Sequence, residues 1–341
     1  MKAVVLLNMG GPDSLESVKP FLQNLFADRD IIKLGPSFLQ KSIASLIIKM
    51  KLKKTLAAYE LIGGKSPLAD ITLRQAATLE SVLNENGNNE LYKVYVAMRY
   101  WHPLTEQTVA EINKRGITKI IVIPLYPHYS RATTGSSIKK LIEEFAAITG
   151  NKIVMPQKYQ RTFTVDCSPF RLYVVASWYD NPIYIEALIE KINKGMESFI
   201  TGSKKSKNVP VLFSAHSLPK KFIDEGDPYV QEIKGTVDEI LKRINIESQI
   251  SYQSKSGPVK WLEPSTEDMI IRLAKKGIKN LLVVPISFVS DHIETLYEID
   301  MLYKDMAHKV GMNLRRTESL NTSPKFIEAL ADIAKKSHRE K

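Results

Sequence analysis

Residues 102–127, HPLTEQTVAEINKRGITKIIVIPLYP, align without a gap with residues 263–288, EPSTEDMIIRLAKKGIKNLLVVPISF. Pro103 pairs with Pro264, Thr105 with Thr266, Glu106 with Glu267, Gly116 with Gly277 and Pro124 with Pro285, all at one offset of 161 residues. A constant offset over so many positions implies two similar halves. Each copy reads as a capped helix, a glycine stop, a buried strand and a proline near the strand's end. A chain of 341 residues suits two such α/β units of about 150 residues each.

The apolar runs agree. Residues 3–7, 94–98, 120–125, 209–213 and 281–288 are rich in Val, Ile or Leu, and helical patterns such as 105–114 and 183–199 lie between them. Continuous β-branched runs fit strands covered on both faces of a parallel sheet, and their alternation with helices predicts βαβ units. The fold class expected is therefore α/β: two similar Rossmann-like lobes, each a parallel sheet flanked by helices, with the active-site cleft between them. Lobe I is expected at 1–150, with a C-terminal helix at 316–341 packing back on it, and lobe II at 151–315. The weakest boundary stretches are Gly150 with Asn151, and GSKKSKN at 202–208.

Hydrophobic residues at 44% allow a sizeable core, and the net charge of +11 favours anionic partners. No zinc-finger, RNP or helix-turn-helix signature supports nucleic acid as that partner. The single cysteine, Cys167, excludes an internal disulfide framework and a cysteine-ligated iron–sulfur cluster within one chain; it fits a reducing cytosol. No run approaches the roughly 18 apolar residues of a membrane span. The segment 36–54, PSFLQKSIASLIIKMKLKK, reads either as a cleft-covering helix or as a basic amphipathic helix that rests on an acidic membrane.

Open α/β sheets bind ligands beyond the carboxyl ends of their strands. GGKS at 63–66 is not a phosphate loop, because Tyr59 stands where the pattern needs glycine, and no GxGxxG is present. His216 stands at one strand exit, where a histidine can act as base or metal ligand, or simply satisfy backbone groups. At another exit, Asp291, His292, Glu294 and Glu298 fall within eight positions. Asp291 with Glu294 has the spacing of a capping box. Glu294 and Glu298, four apart, share a helix face, and like charges there suit a cation or proton traffic. Arg99, Tyr100, Tyr126 and Tyr129 at first-lobe strand ends, with Trp261, suit a flat anionic ligand or line a cleft. TTGSS at 133–137, ending at Ser137, opens a helix whose N–H groups can hold a carboxylate, or is a plain cap.

At these residues the sequence resembles the ferrochelatase family. FSAHSLPKKFIDEGDPYVQEI at 213–233 is similar to the family's histidine motif and FVSDHIETLYEID at 288–300 to its acidic motif. NMGGP at 8–12, YELIGGKSPL at 59–68, MRYWHP at 98–103 and YPHYSRATTGSS at 126–137 follow in the family's order. The resemblance, from about residue 3 to about 310, implies a chelatase fold holding a porphyrin, with ferrous iron as the second substrate and no resident cofactor. It implies catalytic roles for His216, Glu294 and Glu298, with His216 and Glu294 meeting the metal. It places Met9 on the opposite side of the macrocycle. It assigns Arg29, Tyr59, Ser66, Arg99, Tyr126, Ser137, Trp261 and Asp291 to substrate binding. As a base, His216 would have to be neutral, with a pKa near 6.5 or below. The expected reaction is insertion of Fe²⁺ into protoporphyrin IX; coproporphyrin III as substrate, or a non-catalytic porphyrin carrier, are the alternatives. A third carboxylate common in the family is Leu302 here, and the family's C-terminal cysteine cluster is absent. The short start favours a bacterial-type cytosolic enzyme.

Overall fold

The computed structural model describes residues 1–31, 35–85, 90–151, 156, 158–199, 209–255, 257 and 259–338. The chain divides into two compact units. Unit 1 is Met1–Trp178 with Phe326–Lys341, and unit 2 is Tyr179–Lys325.

Unit 1 is built on a five-stranded sheet of β1 (Lys2–Asn8), β2 (Tyr92–Met98), β3 (Lys119–Pro124), β4 (Thr162–Cys167) and β5 (Phe170–Val175) in the order β2-β1-β3-β5-β4. Only the edge strand β4 runs antiparallel. Every residue of β1 is buried, as a strand covered on both faces requires. Unit 2 carries β6 (Val211–His216), β7 (Ser248–Gln253), β8 (Asn280–Pro285) and β9 (Asn313–Arg316), all parallel, in the order β7-β6-β8-β9. The two orders are the same once β4 is set aside.

The repeat is visible in three dimensions. Helix Thr105–Lys114 and strand β3 in unit 1 match helix Thr266–Lys275 and β8 in unit 2 at the same offset, residue for residue. Gly116 and Gly277 follow the two helices with φ of 64° and 86°, the left-handed stop read from the sequence. The Met98 N–H donates to the Pro103 carbonyl, and the Tyr252 N–H to the Pro264 carbonyl.

The expected boundary at 150/151 is corrected. The chain continues into β4 and β5, which extend the first sheet beside β3, so unit 1 reaches Trp178. Residues 202–208 lie outside the described residues. Helix Pro324–Ser337 returns to unit 1, with Phe326 and Leu330 fully buried and Trp178 against Phe326 at 6.1 Å.

In the N-terminal half, helix Gln40–Leu61 buries Ala44, Ile48 and Ala58. It leaves Leu46 and Met50 60% and 69% exposed, and Phe38, just before it, 80% exposed. Lys41, Lys49, Lys51, Lys53 and Lys54 are all exposed. No helix among the described residues is long and apolar enough to cross a membrane.

Candidate active site

Strand β6 carries buried Phe213 and Ser214 to its exit at His216. The His216 N–H donates to Ser287 Oγ at 2.9 Å and its carbonyl accepts from the Tyr229 hydroxyl at 2.9 Å, which fixes the backbone from two sides. The side chain keeps 33% of its surface open, and Nδ1 lies 2.9 Å from Glu294 Oε2. Nε2 of His216 and Oε1 of Glu294 have no hydrogen bond among the described residues, the contacts of these side chains being made by Nδ1 and Oε2.

Glu294 opens the run Glu294–Tyr303, which is π-helical. Bonding from i to i+5 widens the turn, so residues four apart come close to in line; such turns recur at functional sites. Glu298 follows on that line, and Leu302, 42% exposed, ends it. Ser254, just past the end of β7, joins the two carboxylates. Its hydroxyl lies 3.0 Å from Glu294 Oε2 and 2.5 Å from Glu298 Oε2. One hydroxyl proton serves one acceptor at a time, so both contacts are satisfied when Glu298 carries a proton of its own. Ser254 holds φ at 67°, a left-handed conformation that costs a serine about 1–3 kcal/mol. Beside it, Gln253 Nε2 donates to Glu298 Oε2 at 3.1 Å and to the Glu294 carbonyl at 3.0 Å, while its own carbonyl accepts from Ser214 Oγ at 2.7 Å.

The electrostatics follow from this geometry. Burial alone would lower the His216 pKa, but the charge and hydrogen bond of Glu294 outweigh it and raise it. Burial would raise Glu294; the His216 imidazolium outweighs this and holds it well below the usual carboxylate range. Glu298 is pushed up to about 7, by burial first and by the Glu294 charge second. The neutral imidazole that a base requires is therefore opposed by Glu294, which favours the protonated form. The three groups form a row whose outer member, Glu298, takes up or releases a proton near neutral pH. Among the described residues no group of three His, Cys, Asp or Glu side chains forms a metal-ion cage.

The capping-box reading of Asp291 is corrected. Its oxygens accept from Arg316 at 3.0 Å, Ser319 at 2.8 Å, Asn321 at 2.7 Å and Thr295 at 3.1 Å, so it anchors the start of this run from within the unit. The turn before the π-helical run is closed by Thr295, whose hydroxyl accepts from the His292 N–H, and not by an Asp291–Glu294 box. Trp261 is laced to the chain leaving His216: Lys220 N–H donates to the Lys260 carbonyl and Leu262 N–H to that of Leu218.

Unit 1 brings together a different set. Arg99 pairs with buried Asp28 at 2.8 Å and donates from Nε to Ser136 at 3.0 Å, while the Tyr100 hydroxyl donates to the same carboxylate at 2.7 Å. Much of the Arg99 guanidinium is therefore committed within the unit. Tyr126 bonds Ser137, and burial raises its phenol. Ser66 is turned inward: its Oγ accepts from Leu68 N–H, and a Cβ on Gly11 would meet it at 2.5 Å, so GGP and SPL need each other at that contact. Arg29 ties the Gly35 carbonyl to Gln40 at 3.0 Å each, and Tyr59 is buried at the end of its helix.

The duplicated frame sets these sites in register. Leu7 pairs with Pro124 as Ser214 pairs with Pro285. Two residues on, Met9 in unit 1 holds the place of His216 in unit 2. The repeat offset carries Thr133 to Glu294 and Ser137 to Glu298. One frame presents thioether and hydroxyls; the other presents imidazole and carboxylates.

The Ferrochelatase family model matches residues 1–338. The chain is 49% identical over 337 residues to the ferrochelatase of Geobacter metallireducens, covering 98% of each. It is 44% identical over 336 residues to that of Aquifex aeolicus, again covering 98% of each. Among solved structures, it is similar to the sirohydrochlorin chelatase SirB from Bacillus subtilis subspecies spizizenii in complex with cobalt, with a TM-score of 0.51, 12% identity, and coverage of 98% of this chain and 94% of that one.

Proposed function

Since the chain belongs to the ferrochelatase family, we propose that it inserts ferrous iron into protoporphyrin IX, making protohaem in the last step of haem biosynthesis. The observation that carries this reading is the row His216–Glu294–Ser254–Glu298. Metallation exchanges two pyrrole protons for Fe²⁺, so a site for it needs a proton acceptor, a hard or borderline ligand for iron, and an exit for protons. As the neutral tautomer that keeps its Nδ1–H on Glu294, His216 accepts a pyrrole proton at Nε2. Glu294 meets Fe²⁺, for which carboxylate and imidazole are suitable ligands. Neutralising Glu294 with the incoming cation removes the charge that raises the His216 pKa, and the proton so released passes through Ser254 to Glu298 when that carboxylate, with a pKa of about 7, is ionised. Fe²⁺ is substrate here, and no resident cofactor is invoked. Met9, Arg29, Tyr59, Ser66, Tyr126, Ser137 and Trp261 are assigned to the porphyrin side, with Arg99 and Ser66 acting through the internal contacts described above.

The test is anaerobic incubation with Fe²⁺ and either protoporphyrin IX or coproporphyrin III, following the Soret and visible bands. Metallation of protoporphyrin IX is expected. Turnover of coproporphyrin III alone would reassign the substrate, and porphyrin binding without metallation of either would make the protein a carrier.

Glu298→Gln removes one of the charges that raise the His216 pKa. With less to hold its proton, His216 becomes a free base at lower pH. The acid limb of the pH–rate profile is expected to move toward lower pH, with a reduced maximum because the exit acceptor is gone. An unmoved acid limb would separate Glu298 from His216.

The exposed Phe38, Leu46 and Met50 among exposed lysines support a cytosolic enzyme that rests on acidic membrane. The protein is expected to float with acidic liposomes, and Phe38→Asp/Leu46→Asp/Met50→Asp to stay at the bottom. Wild-type protein left at the bottom would remove the membrane contact.

A further inference from the structure

Away from that row, unit 2 holds a pocket of about 460 Å³ between helix Pro182–Glu197, strand β9 and the run that includes Asp300 and Lys304. Five cations line it: Lys191, Lys194, Lys304, Arg315 and Arg316. Arg316 is neutralised by Asp291 and Asp300 at 3.0 and 2.7 Å. The other four share a single carboxylate. Glu318 takes Lys191 at 2.9 Å and Lys194 at 2.8 Å, while Lys304 and Arg315 have no carboxylate partner among the described residues. Arg315 gives NH1 to the Ser198 carbonyl and lies over the Phe199 ring at 5.2 Å, so its fork is held in a fixed orientation.

Such an arrangement is costly unless something anionic enters. Four cations around one pocket repel one another, and Glu318 offsets only one of them. Lys191 is only 18% exposed, so its charge is not dispersed into water, whereas Glu318 lies 57% exposed at the solvent side of the pair. Glu318 is an internal stand-in for an anion: it holds the two lysines apart until a better partner displaces it. A monovalent anion would only replace what Glu318 already provides. Balancing the excess takes a ligand with several charges on a compact frame, and the volume is that of a small-molecule site. Guanidinium and ammonium groups together match phosphate oxygens.

We propose that this pocket binds a small soluble polyphosphate, such as the di- or triphosphate group of a nucleotide, at a site separate from the His216 row. Calorimetry of the full chain with inorganic pyrophosphate and with ATP at low salt tests it. Saturable one-site binding is expected, weakened at least tenfold by Lys194→Glu/Lys304→Glu and tightened by Glu318→Ala, which removes the internal competitor. Porphyrin metallation and melting temperature should be unchanged in the lysine variant. Binding of pyrophosphate and ATP alike assigns recognition to the phosphates; binding of ATP alone adds a base contact to it. Absence of saturable binding by the wild type overturns the proposal. So does equal weakening by the control pair Lys53→Glu/Lys54→Glu in unit 1, which would make net charge the cause.

Discussion

Replacing His216 by alanine is expected to lower kcat/KM for metallation by about 10²–10⁴-fold, the range that a positioned acid–base group contributes. Porphyrin affinity, read by fluorescence quenching, should stay within a few-fold. The reasoning rests on two features. His216 alone joins the free edge of the row to Glu294, so its loss removes the first proton acceptor. It also removes the cation that keeps Glu294 ionised, so the remaining carboxylate shifts toward its protonated form and meets iron less well. A His216→Ala protein that metallates near the wild-type rate would take His216 out of the reaction. One that no longer binds porphyrin would make it a binding residue instead.

The second large effect is on stability. Asp291→Ala leaves Arg316, whose side chain is only 8% exposed, with Asp300 as its remaining carboxylate. Asp300 keeps its two-pronged pair with Arg316, so the loss is that of the Asp291 hydrogen bonds and of the partners they leave unsatisfied, about 1–3 kcal/mol. For a unit of this size that is a fall in melting temperature of up to about 10 °C. The sign with pH is also fixed. Burial would raise the Asp291 pKa, but Arg316 and three hydrogen bonds outweigh it and depress it. Its contribution is therefore present above the unfolded value of about 3.9 and fades as pH falls through the folded one. Urea unfolding at pH 7 and pH 3 should show the difference between wild type and variant shrinking at the lower pH. A variant of unchanged stability but raised KM for porphyrin would return Asp291 to the substrate.

The contrast between Asp291 and Glu294 shows what local sequence can carry. Both stand in one short motif, and spacing alone placed Glu294 and Glu298 on a common line. Spacing could not reveal that Asp291 is taken by Arg316, 25 residues downstream. The repeat made the parallel strands and the helices between them legible, because each copy carries its own stops and buried run. Strand β7, SQISYQ, has no continuous apolar run, since it lies at a sheet edge where one side is unpaired. Gln253 and Ser254 at its end were hidden for that reason, although they join the two carboxylates. Hairpin β4–β5 was hidden similarly, and with it the true end of unit 1. β5 pairs with β3 across 52 residues, as Lys119 with Arg171, and no local pattern announces so distant a pairing. The direction of the His216 pKa was hidden for a related cause: a residue type supplies the reference value, and only the neighbour at 2.9 Å supplies its direction.

The return of helix Pro324–Ser337 to unit 1 sets an order on synthesis. A chain emerging from the ribosome at about 5–20 residues per second finishes Trp178 about seven to thirty seconds before that helix appears. Until then the first half lacks the cover that Phe326 and Leu330 supply, and exposes apolar surface to chaperones. Unit 2, continuous from Tyr179 to Lys325, has all its parts earlier. The half made first is the half completed last, so a nascent chain stalled near residue 325 should hold a protease-resistant second unit beside a protease-sensitive first one.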